Sequence, residues 1–263
     1  MTSHPDSLDI DIPGLASQFI GGKWRERNPA FVDVVSPTTE EVLVQVAEPT
    51  TEDAEAAVVA AREAFDNGPW PGMPVVDRVS ACRRLCDLLE ARMDQLNRAW
   101  AFESGPTLAH GAMINGTAGV SIWRQALELA PNLPWEEARD GALIWREPIG
   151  TVLGVLTFNG PIVLMGMKII PALLAGCTVI IKHAPESALT SRLIAEAIRE
   201  ADFPPGVVSV LAAGTRVSQH LVGHPGVDMV ALTGGTEIGI DVVKRTAERL
   251  ARTALELGGK SPA

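Results

Sequence analysis

The segment from Thr151 to His183, TVLGVLTFNGPIVLMGMKIIPALLAGCTVIIKH, decides the fold of this chain. It contains two continuous apolar runs, Val152–Leu156 and Val179–Ile181, on either side of a helical stretch. Strands without polar alternation are buried on both faces, as in parallel sheets that are covered by helices. The segment therefore predicts a strand, a core helix and a second strand parallel to the first.

The uncharged stretch 149–167 has a second interpretation, because an apolar run of this length is also typical of a membrane span. Gly150, Gly154 and the sequence Asn159-Gly160-Pro161 interrupt the run. Its flanks also repeat a strand–helix rhythm. We therefore expect a buried strand and a core helix here, and no association with membranes.

The same alternation continues downstream. Apolar runs lie at Val207–Leu211 and Met229–Leu232, with a weaker one at Thr253–Leu257, and helical patterns separate them. Strands that alternate with helices favour a doubly wound α/β domain around a parallel sheet. In such folds ligands bind at the carboxyl ends of the strands, where this chain carries polar and glycine-rich residues.

Upstream of the deciding segment, the pattern predicts shorter strands and amphipathic helices. The pair Gly21-Gly22 lies between apolar residues and predicts a two-residue hairpin, and Val42–Val46 predicts another strand. Thr50 and Asp53 form a capping box at the start of a helix. Residues 136–148 predict a separate hairpin with Asp-Gly at its turn.

The composition is that of a globular protein, with 46% hydrophobic and 21% charged residues among 263. A net charge of −10 argues against nucleic acid and anionic membranes as partners. The three cysteines, Cys82, Cys86 and Cys177, are too few and too unevenly spaced for a disulfide framework. We expect them in the core of a cytoplasmic protein.

Two strand ends carry side chains suited to chemistry. Asn159 offers amide N–H donors to a developing oxyanion, or alternatively caps the following helix. Lys182 and Glu186 flank the start of the next helix and could hold ribose hydroxyls. A solvated surface pair is the alternative for these two residues, and the residue types alone leave both questions open.

The remaining strand ends are rich in glycine. Gly214 lets a ligand approach the backbone, and the sequence 233–236, Thr-Gly-Gly-Thr, opens a helix. Backbone N–H groups at such a helix start suit a pyrophosphate, although a tight turn would need the same glycines. The sequence is neither a Walker A motif nor G-x-G-x-x-G. Glu256, beside Gly258, is either a general base in a cleft or an exposed loop carboxylate.

His220 and His224 are four residues apart, as in metal-binding helices. Zinc sites in proteins use three or four protein ligands, and the sequence shows no evident third one near this pair. We therefore expect no metal site.

The order and spacing of these segments resemble the NAD(P)-dependent aldehyde dehydrogenase superfamily. The resemblance rests on FIGGKW at 19–24, PALLAG at 171–176 and, most specifically, LELGGKSP at 255–262, which is similar to the family signature around its general base. It implies a Rossmann-like cofactor domain made of residues 1–135 and 149–263. Residues 136–148 would be the hairpin of the bridging and oligomerisation region.

The resemblance also implies a reaction and its residues. An aldehyde would be oxidised to a carboxylic acid with NAD or NADP, through a cysteine thiohemiacetal and thioester. Asn159 would donate to the oxyanion, and Glu256 would activate the hydrolytic water. The implied cofactor-binding residues are Thr157, Phe158, Lys182, Glu186, Gly214, Thr233, Gly234, Gly235, Thr236, Ile238, Leu257 and Gly258.

Several residues depart from the family pattern. Thr157-Phe158 replaces Pro-Trp, His183 replaces a usual proline, and Gly235 replaces a frequent serine. Pro185 occupies the position where many members carry the ribose-binding glutamate, with Glu186 one residue later. These departures leave the choice between NAD and NADP open.

None of the three cysteines aligns with the family nucleophile, which lies some tens of residues beyond the general base. We therefore expect this chain to be the amino-terminal, cofactor-binding half of such an enzyme, without the catalytic thiol domain. We expect it to be inactive alone. Intact members of the family would be homo-oligomers. The alternatives are a non-catalytic dinucleotide-binding module and one subunit of a split enzyme.

Overall fold

A computed structural model describes residues 9–26 and 30–260. The strands are β1 (Ser17–Ile20), β2 (Lys23–Glu26), β3 (Phe31–Val35), β4 (Val42–Ala47), β5 (Glu136–Arg139), β6 (Ala142–Trp145), β7 (Thr151–Val155), β8 (Thr178–His183), β9 (Val208–Ala212), β10 (Met229–Gly234) and β11 (Arg252–Leu257). The α-helices are α1 (Thr51–Asp66), α2 (Val75–Ala91), α3 (Met93–Ser104), α4 (Leu108–Gly111), α5 (Val120–Leu129), α6 (Pro161–Leu174), α7 (Ala188–Glu200), α8 (Thr215–Gly223) and α9 (Thr236–Ala247). A π-helical segment, Ala112–Gly119, joins α4 to α5, and short 3₁₀ turns lie at Ala130–Asn132 and Pro185–Ser187.

The main sheet has seven strands in the order β11-β10-β7-β8-β9-β1-β2. The five strands from β11 to β9 are parallel. The chain enters this parallel part at β7, adds β8 and β9 on one side, and then adds β10 and β11 on the other. The predicted doubly wound α/β fold is therefore confirmed, with its topological switch point between β7 and β10.

The hairpin β1–β2 completes the other end of this sheet. Gly21 and Gly22 both have positive φ, 62° and 85°, at its two-residue turn, as the sequence predicted. Strand β1 pairs antiparallel with β9, an attachment that the sequence did not indicate. The capping box at the start of α1 is also confirmed, since Thr50 and Asp53 bond each other's backbone N–H groups.

The centre of the sheet is dry. Every residue of β7 and β8 is buried, and Leu153 and Ile180 are fully inaccessible to solvent. Burying one such side chain stabilises the fold by about 1.5–3 kcal/mol. The stretch 149–167 is divided between β7 and α6, and no helix of the described residues is long and apolar enough to cross a membrane.

Two regions at the periphery remain exposed. The hairpin β5–β6 has the predicted Asp140-Gly141 turn, with φ values of 43° and 84°. Strand β11 was expected to be buried on both faces, but the structure corrects this, because none of its residues is fully buried. Among the described strands it is the last one of the sheet, so it pairs with β10 only.

The three cysteines are free and buried, as expected of core residues. Burial raises the pKa of Cys82 to about 12 and that of Cys86 to about 11. The pKa of Cys177 is also raised by burial. Thiols with such raised pKa values are poor nucleophiles at neutral pH.

Candidate active site

The candidate residues gather at the carboxyl edge of the parallel sheet. Thr233 pairs with Glu256 between β10 and β11, and Val155 pairs with Lys182 between β7 and β8. The N–H of Leu156 continues this pairing by donating to the carbonyl of Lys182 at 2.9 Å. The parallel register therefore brings residues that are distant in the chain together at the carboxyl edge of the sheet, around the switch point.

Asn159 lies in the exposed loop between β7 and α6. Thr157 Oγ1 donates to Asn159 Oδ1 at 2.5 Å, so the Asn159 amide nitrogen keeps its two N–H donors for another acceptor. The alternative of helix capping is wrong, because the N-cap of α6 is Gly160 and no described side chain caps it. Buried Trp100 holds the same loop by donating from Nε1 to the carbonyl of Phe158 at 2.6 Å.

Lys182 is only 8% exposed at the end of β8, so it is not half of a solvated surface pair. Burial lowers its pKa to about 8, and the nearby charge of Glu186 opposes that shift. Glu186 is exposed in the turn before α7. Ser104 Oγ donates to its carbonyl at 2.7 Å, which fixes the turn against α3. The two residues thus form a buried cation and an exposed anion beside the switch point.

The start of α9 offers unpaired backbone donors to a ligand. Its N-cap is Gly235, and no described side chain caps the first turn. A Cβ atom built on Gly214, Gly235 or Gly258 would meet no described atom within 4 Å, so the space around these glycines is open. Thr233 Oγ1 is buried without a hydrogen-bond partner among the described residues. Open space, backbone donors that no described side chain caps and the positive end of the helix dipole are features that suit an anion.

Beyond that first turn, α9 and β11 close one side of the cleft. Gly234 pairs with Leu257, and Thr236 begins the helix. Ile238 is 55% exposed. Leu257 packs so close to Gly239 that a Cβ atom there would lie 2.7 Å from Leu257 Cδ2. Ile238 and Leu257 therefore give the anion site an apolar border.

Glu256 is exposed in β11, and its charge acts on a lysine of α6. Lys168 is 8% exposed, and burial lowers its pKa while the charge of Glu256 opposes that shift. Lys168 was not among the residues that the sequence motifs singled out. A signal was available, because it is the only charged residue in the apolar helix α6.

Buried His183 lies beneath this edge, next to Lys182. Neither ring nitrogen has a hydrogen-bond partner among the described residues. Burial, helped by the charge of Lys182, lowers the pKa of His183 to about 3, so the ring is neutral at physiological pH. Ser261 and Pro262, which belong to the LELGGKSP segment, lie outside the described residues.

His220 and His224 lie elsewhere, before the amino end of β10. Here the structure corrects the sequence analysis, because a third potential ligand exists: Glu55 of α1 lies within reach of both rings.

A doubly wound sheet with an anion site at its switch point defines a nucleotide-binding class of protein. The sequence model of the aldehyde dehydrogenase family matches residues 24–263. The chain belongs to this family.

Relatives of known activity agree with the assignment. The chain is 37% identical over 251 residues to geranial dehydrogenase of Castellaniella defragrans, covering 93% of this chain and 52% of that protein. It is also 37% identical over 262 residues to aminoacetaldehyde dehydrogenase of Pseudomonas aeruginosa, covering 97% of this chain and 52% of the relative. The chain thus spans about half the length of the curated relatives that it matches.

Solved structures share the fold. The structure of an aldehyde dehydrogenase C variant from Pseudomonas syringae, in complex with NAD+ and octanal, matches with a TM-score of 0.91 and 32% identity over 97% of this chain and 53% of that one. Aldehyde dehydrogenase of Mycobacterium tuberculosis, in complex with NAD+, matches with a TM-score of 0.89 and 36% identity over 94% of this chain and 52% of that one.

Proposed function

We propose that this chain forms the dinucleotide-binding half of an aldehyde dehydrogenase and binds NAD or NADP at the switch point. The observation that carries the proposal is the start of α9, which opens into free space and which no described side chain caps. Nearby, the hydroxyl of Thr233 has no hydrogen-bond partner in the described part of the chain. Relatives that match this chain are aldehyde dehydrogenases whose structures contain NAD+.

The residues at the strand ends fit a dinucleotide. Backbone N–H groups of Gly235 and Thr236 would hold the pyrophosphate, because no described side chain caps this helix start and Gly235 has no Cβ to fill the approach. Lys182 and Glu186 would hold the adenosine ribose. A bound dinucleotide would supply a hydride acceptor for oxidation of the thiohemiacetal to the thioester.

The chain would also contribute two groups to the chemistry. The free amide N–H₂ of Asn159 donates to the oxygen of the aldehyde carbon as negative charge develops there. The carboxylate of Glu256 takes a proton from the water that hydrolyses the thioester. The charge of Glu256 opposes the lowering of the Lys168 pKa by burial, so this lysine stays available as a cation near the proposed base.

We propose that turnover requires a thiol from outside the described residues. Cys82, Cys86 and Cys177 are buried, and burial raises their pKa values, so none provides a reactive thiolate. This supports a chain that binds cofactor and is inactive alone. We propose oxidation of an aldehyde only for the complete enzyme, which contains that thiol.

We also propose that the hairpin 136–148 is an assembly element. Leu143, Ile144 and Trp145 are 52%, 37% and 63% exposed on β6. Apolar side chains in a row on an exposed strand mark an interaction surface. A homo-oligomer would cover them.

Calorimetric titration of the folded chain with NAD and, separately, with NADP tests the cofactor proposal. We expect one site, which Lys182→Met weakens about tenfold, or ~1.4 kcal/mol, by removing the buried cation. Lys244→Met, which removes an exposed lysine from the last turn of α9, is the matched control and leaves affinity unchanged.

A folded sample that gives no heat with either nucleotide would contradict the proposal.

The variant Glu186→Gln tests whether the carboxylate of Glu186 sets the preference between NAD and NADP. A carboxylate at the ribose favours a 2′-hydroxyl and repels a 2′-phosphate, so this variant shifts the ratio of affinities toward NADP.

A further inference from the structure

Glu55, His220 and His224 form a cluster away from the proposed cofactor site. Glu55 belongs to α1, His220 lies in the last turn of α8, and His224 follows the end of that helix. The potential ligand atoms of the three side chains all lie within 4.8 Å of one another. His224 precedes the amino end of β10, whereas the cofactor residues lie at its carboxyl end, roughly 15–20 Å away for a strand of this length.

The spacing within the cluster suits a small divalent ion. Glu55 Oε2 lies 2.9 Å from His224 Nε2 and 3.4 Å from His220 Nε2. Two ligand atoms about 2.1 Å from one ion are separated by ~3.0 Å at a right angle and by ~3.4 Å at the tetrahedral angle. The two distances therefore match edges of a coordination polyhedron.

His220 supplies the second, independent observation. Its Nε2 atom is buried and has no hydrogen-bond partner among the described residues, because its contact with Glu55 lacks hydrogen-bond geometry. A buried polar atom without a partner is unfavourable in a folded protein. An ion between His220 and Glu55 would use the free lone pair of this nitrogen.

The electrostatic surroundings also favour a cation. Glu55 brings a negative charge, and the cluster lies at the C-terminal end of α8, where the carbonyl end of the helix dipole attracts positive charge. The nearby guanidinium of Arg62 is already paired with Asp66 and Asp228.

The hydrogen bond to His224 limits the expected affinity. Gly226 donates its N–H to His224 Nδ1 at 3.0 Å, so without an ion the ring proton is on Nε2 and faces Glu55. An ion at Nε2 moves that proton to Nδ1 and breaks the bond to Gly226. We therefore expect micromolar rather than nanomolar binding.

We propose that Glu55, His220 and His224 bind a first-row divalent transition metal, with zinc as the reference ion and water completing the coordination. Two imidazoles and one carboxylate suit zinc, nickel or copper and disfavour magnesium. The bound ion would link α1 to the end of α8.

Zinc titration of the chelator-treated chain, with circular dichroism to verify folding, tests this proposal. We expect one Zn²⁺ per chain with a dissociation constant of about 1–10 μM and no binding of Mg²⁺ at the same concentrations. His220→Gln and Glu55→Gln each weaken zinc binding at least tenfold. His110→Gln and Glu63→Gln are matched controls, since one removes an exposed histidine and the other an exposed glutamate of α1, and both retain binding.

Thermal melting provides a second readout of zinc binding that is independent of the titration. Zinc raises the Tm of the unchanged chain, because the ion binds the folded state, and leaves the Tm of His220→Gln unchanged. Absence of a saturable site below about 1 mM, or equal binding by the two variants, would overturn the proposal. The cluster would then be only the hydrogen bond between Glu55 of α1 and His224, with His220 beside it. Nucleotide binding by His220→Gln stays unchanged in either case, because the cluster lies at the other edge of the sheet.

Discussion

The centre of the sheet and its β11 edge contain similar residue types in opposite environments. Leu153 of β7 and Ile180 of β8 are fully inaccessible to solvent. In contrast, Leu257 of β11 is 40% exposed, and Leu250, just before that strand, is 88% exposed. The hairpin β5–β6 resembles the edge, since Trp145 is 63% exposed.

The difference separates apolar residues that stabilise the fold from apolar residues that remain exposed on its surface. Helices cover both faces of β7 and β8, so their apolar residues contribute to folding within the chain. Leu257 of β11 and the apolar residues of β6 remain partly exposed among the described residues and contribute less to folding, whereas Leu255 of β11 packs against the core. The partly exposed residues are available to an interface instead.

The largest effect is expected from truncation of a core side chain. Leu153→Ala lowers the free energy of unfolding by about 3–4 kcal/mol, because the buried site cannot collapse around the lost atoms. Trp145→Ala removes a larger side chain but changes that free energy by less than about 0.5 kcal/mol, because most of it is already in water. Urea unfolding of the two variants measures both values. Equal losses would show that the hairpin is part of the folding core.

An added methyl group sharpens the same comparison. A Cβ atom on Gly154 of β7 collides with the buried Ile169 side chain, so Gly154→Ala destabilises the fold by about 2 kcal/mol. A Cβ atom on Gly239 of α9 collides with Leu257, which is half-exposed and can move aside. Alanine also favours the helix by about 1 kcal/mol, so Gly239→Ala is nearly neutral. Thermal melting compares the pair, and similar losses would contradict the contrast.

The pH dependence of unfolding tests whether His183, at the end of the central strand β8, is excluded from water. Its pKa is lowered to about 3 by burial, whereas the unfolded chain binds a proton near pH 6.5. Between these values only the unfolded state is protonated, so stability is lost as the pH falls, by about 2 kcal/mol from pH 7 to pH 5. His183→Phe removes this contribution. Denaturant unfolding of both proteins at the two pH values isolates it, and parallel pH profiles would show that His183 is hydrated.

A substitution in the hairpin β5–β6 is expected to have the smallest effect on stability but a measurable effect on self-association. Trp145→Ser changes the free energy of unfolding by no more than about 0.5 kcal/mol, because the residue is exposed. It lowers self-association, because an apolar contact surface is lost. Sedimentation at several protein concentrations measures the change, with Val59→Ser, an exposed residue of α1, as the control. An unchanged association constant would exclude the hairpin from the interface.

Sequence patterns predicted most of the architecture. The apolar runs located β7 to β10, and the capping box and the Gly-Gly and Asp-Gly turns located α1 and the two hairpins. Candidate residues such as Asn159 and Lys182 lie at strand ends as the α/β pattern predicts. Their roles remain proposals, whereas membership of the aldehyde dehydrogenase family is established.

The parts that the sequence did not predict all involve contacts between distant segments. The charge of Glu256 acts on Lys168, Glu55 approaches two histidines, and β1 pairs with β9. The exposure of β11 belongs to the same group, because its residue pattern did not show that it ends the sheet.

Local sequence determined the elements and the fold class, because hydrophobic periodicity, turns and caps act over a few neighbouring residues. Only the tertiary structure decided which side chains meet and which apolar strand remains in water. Those outcomes depend on sheet order and helix packing, through which residues far apart in the chain share one environment. The proposed cofactor site and the proposed metal site both arise at that level.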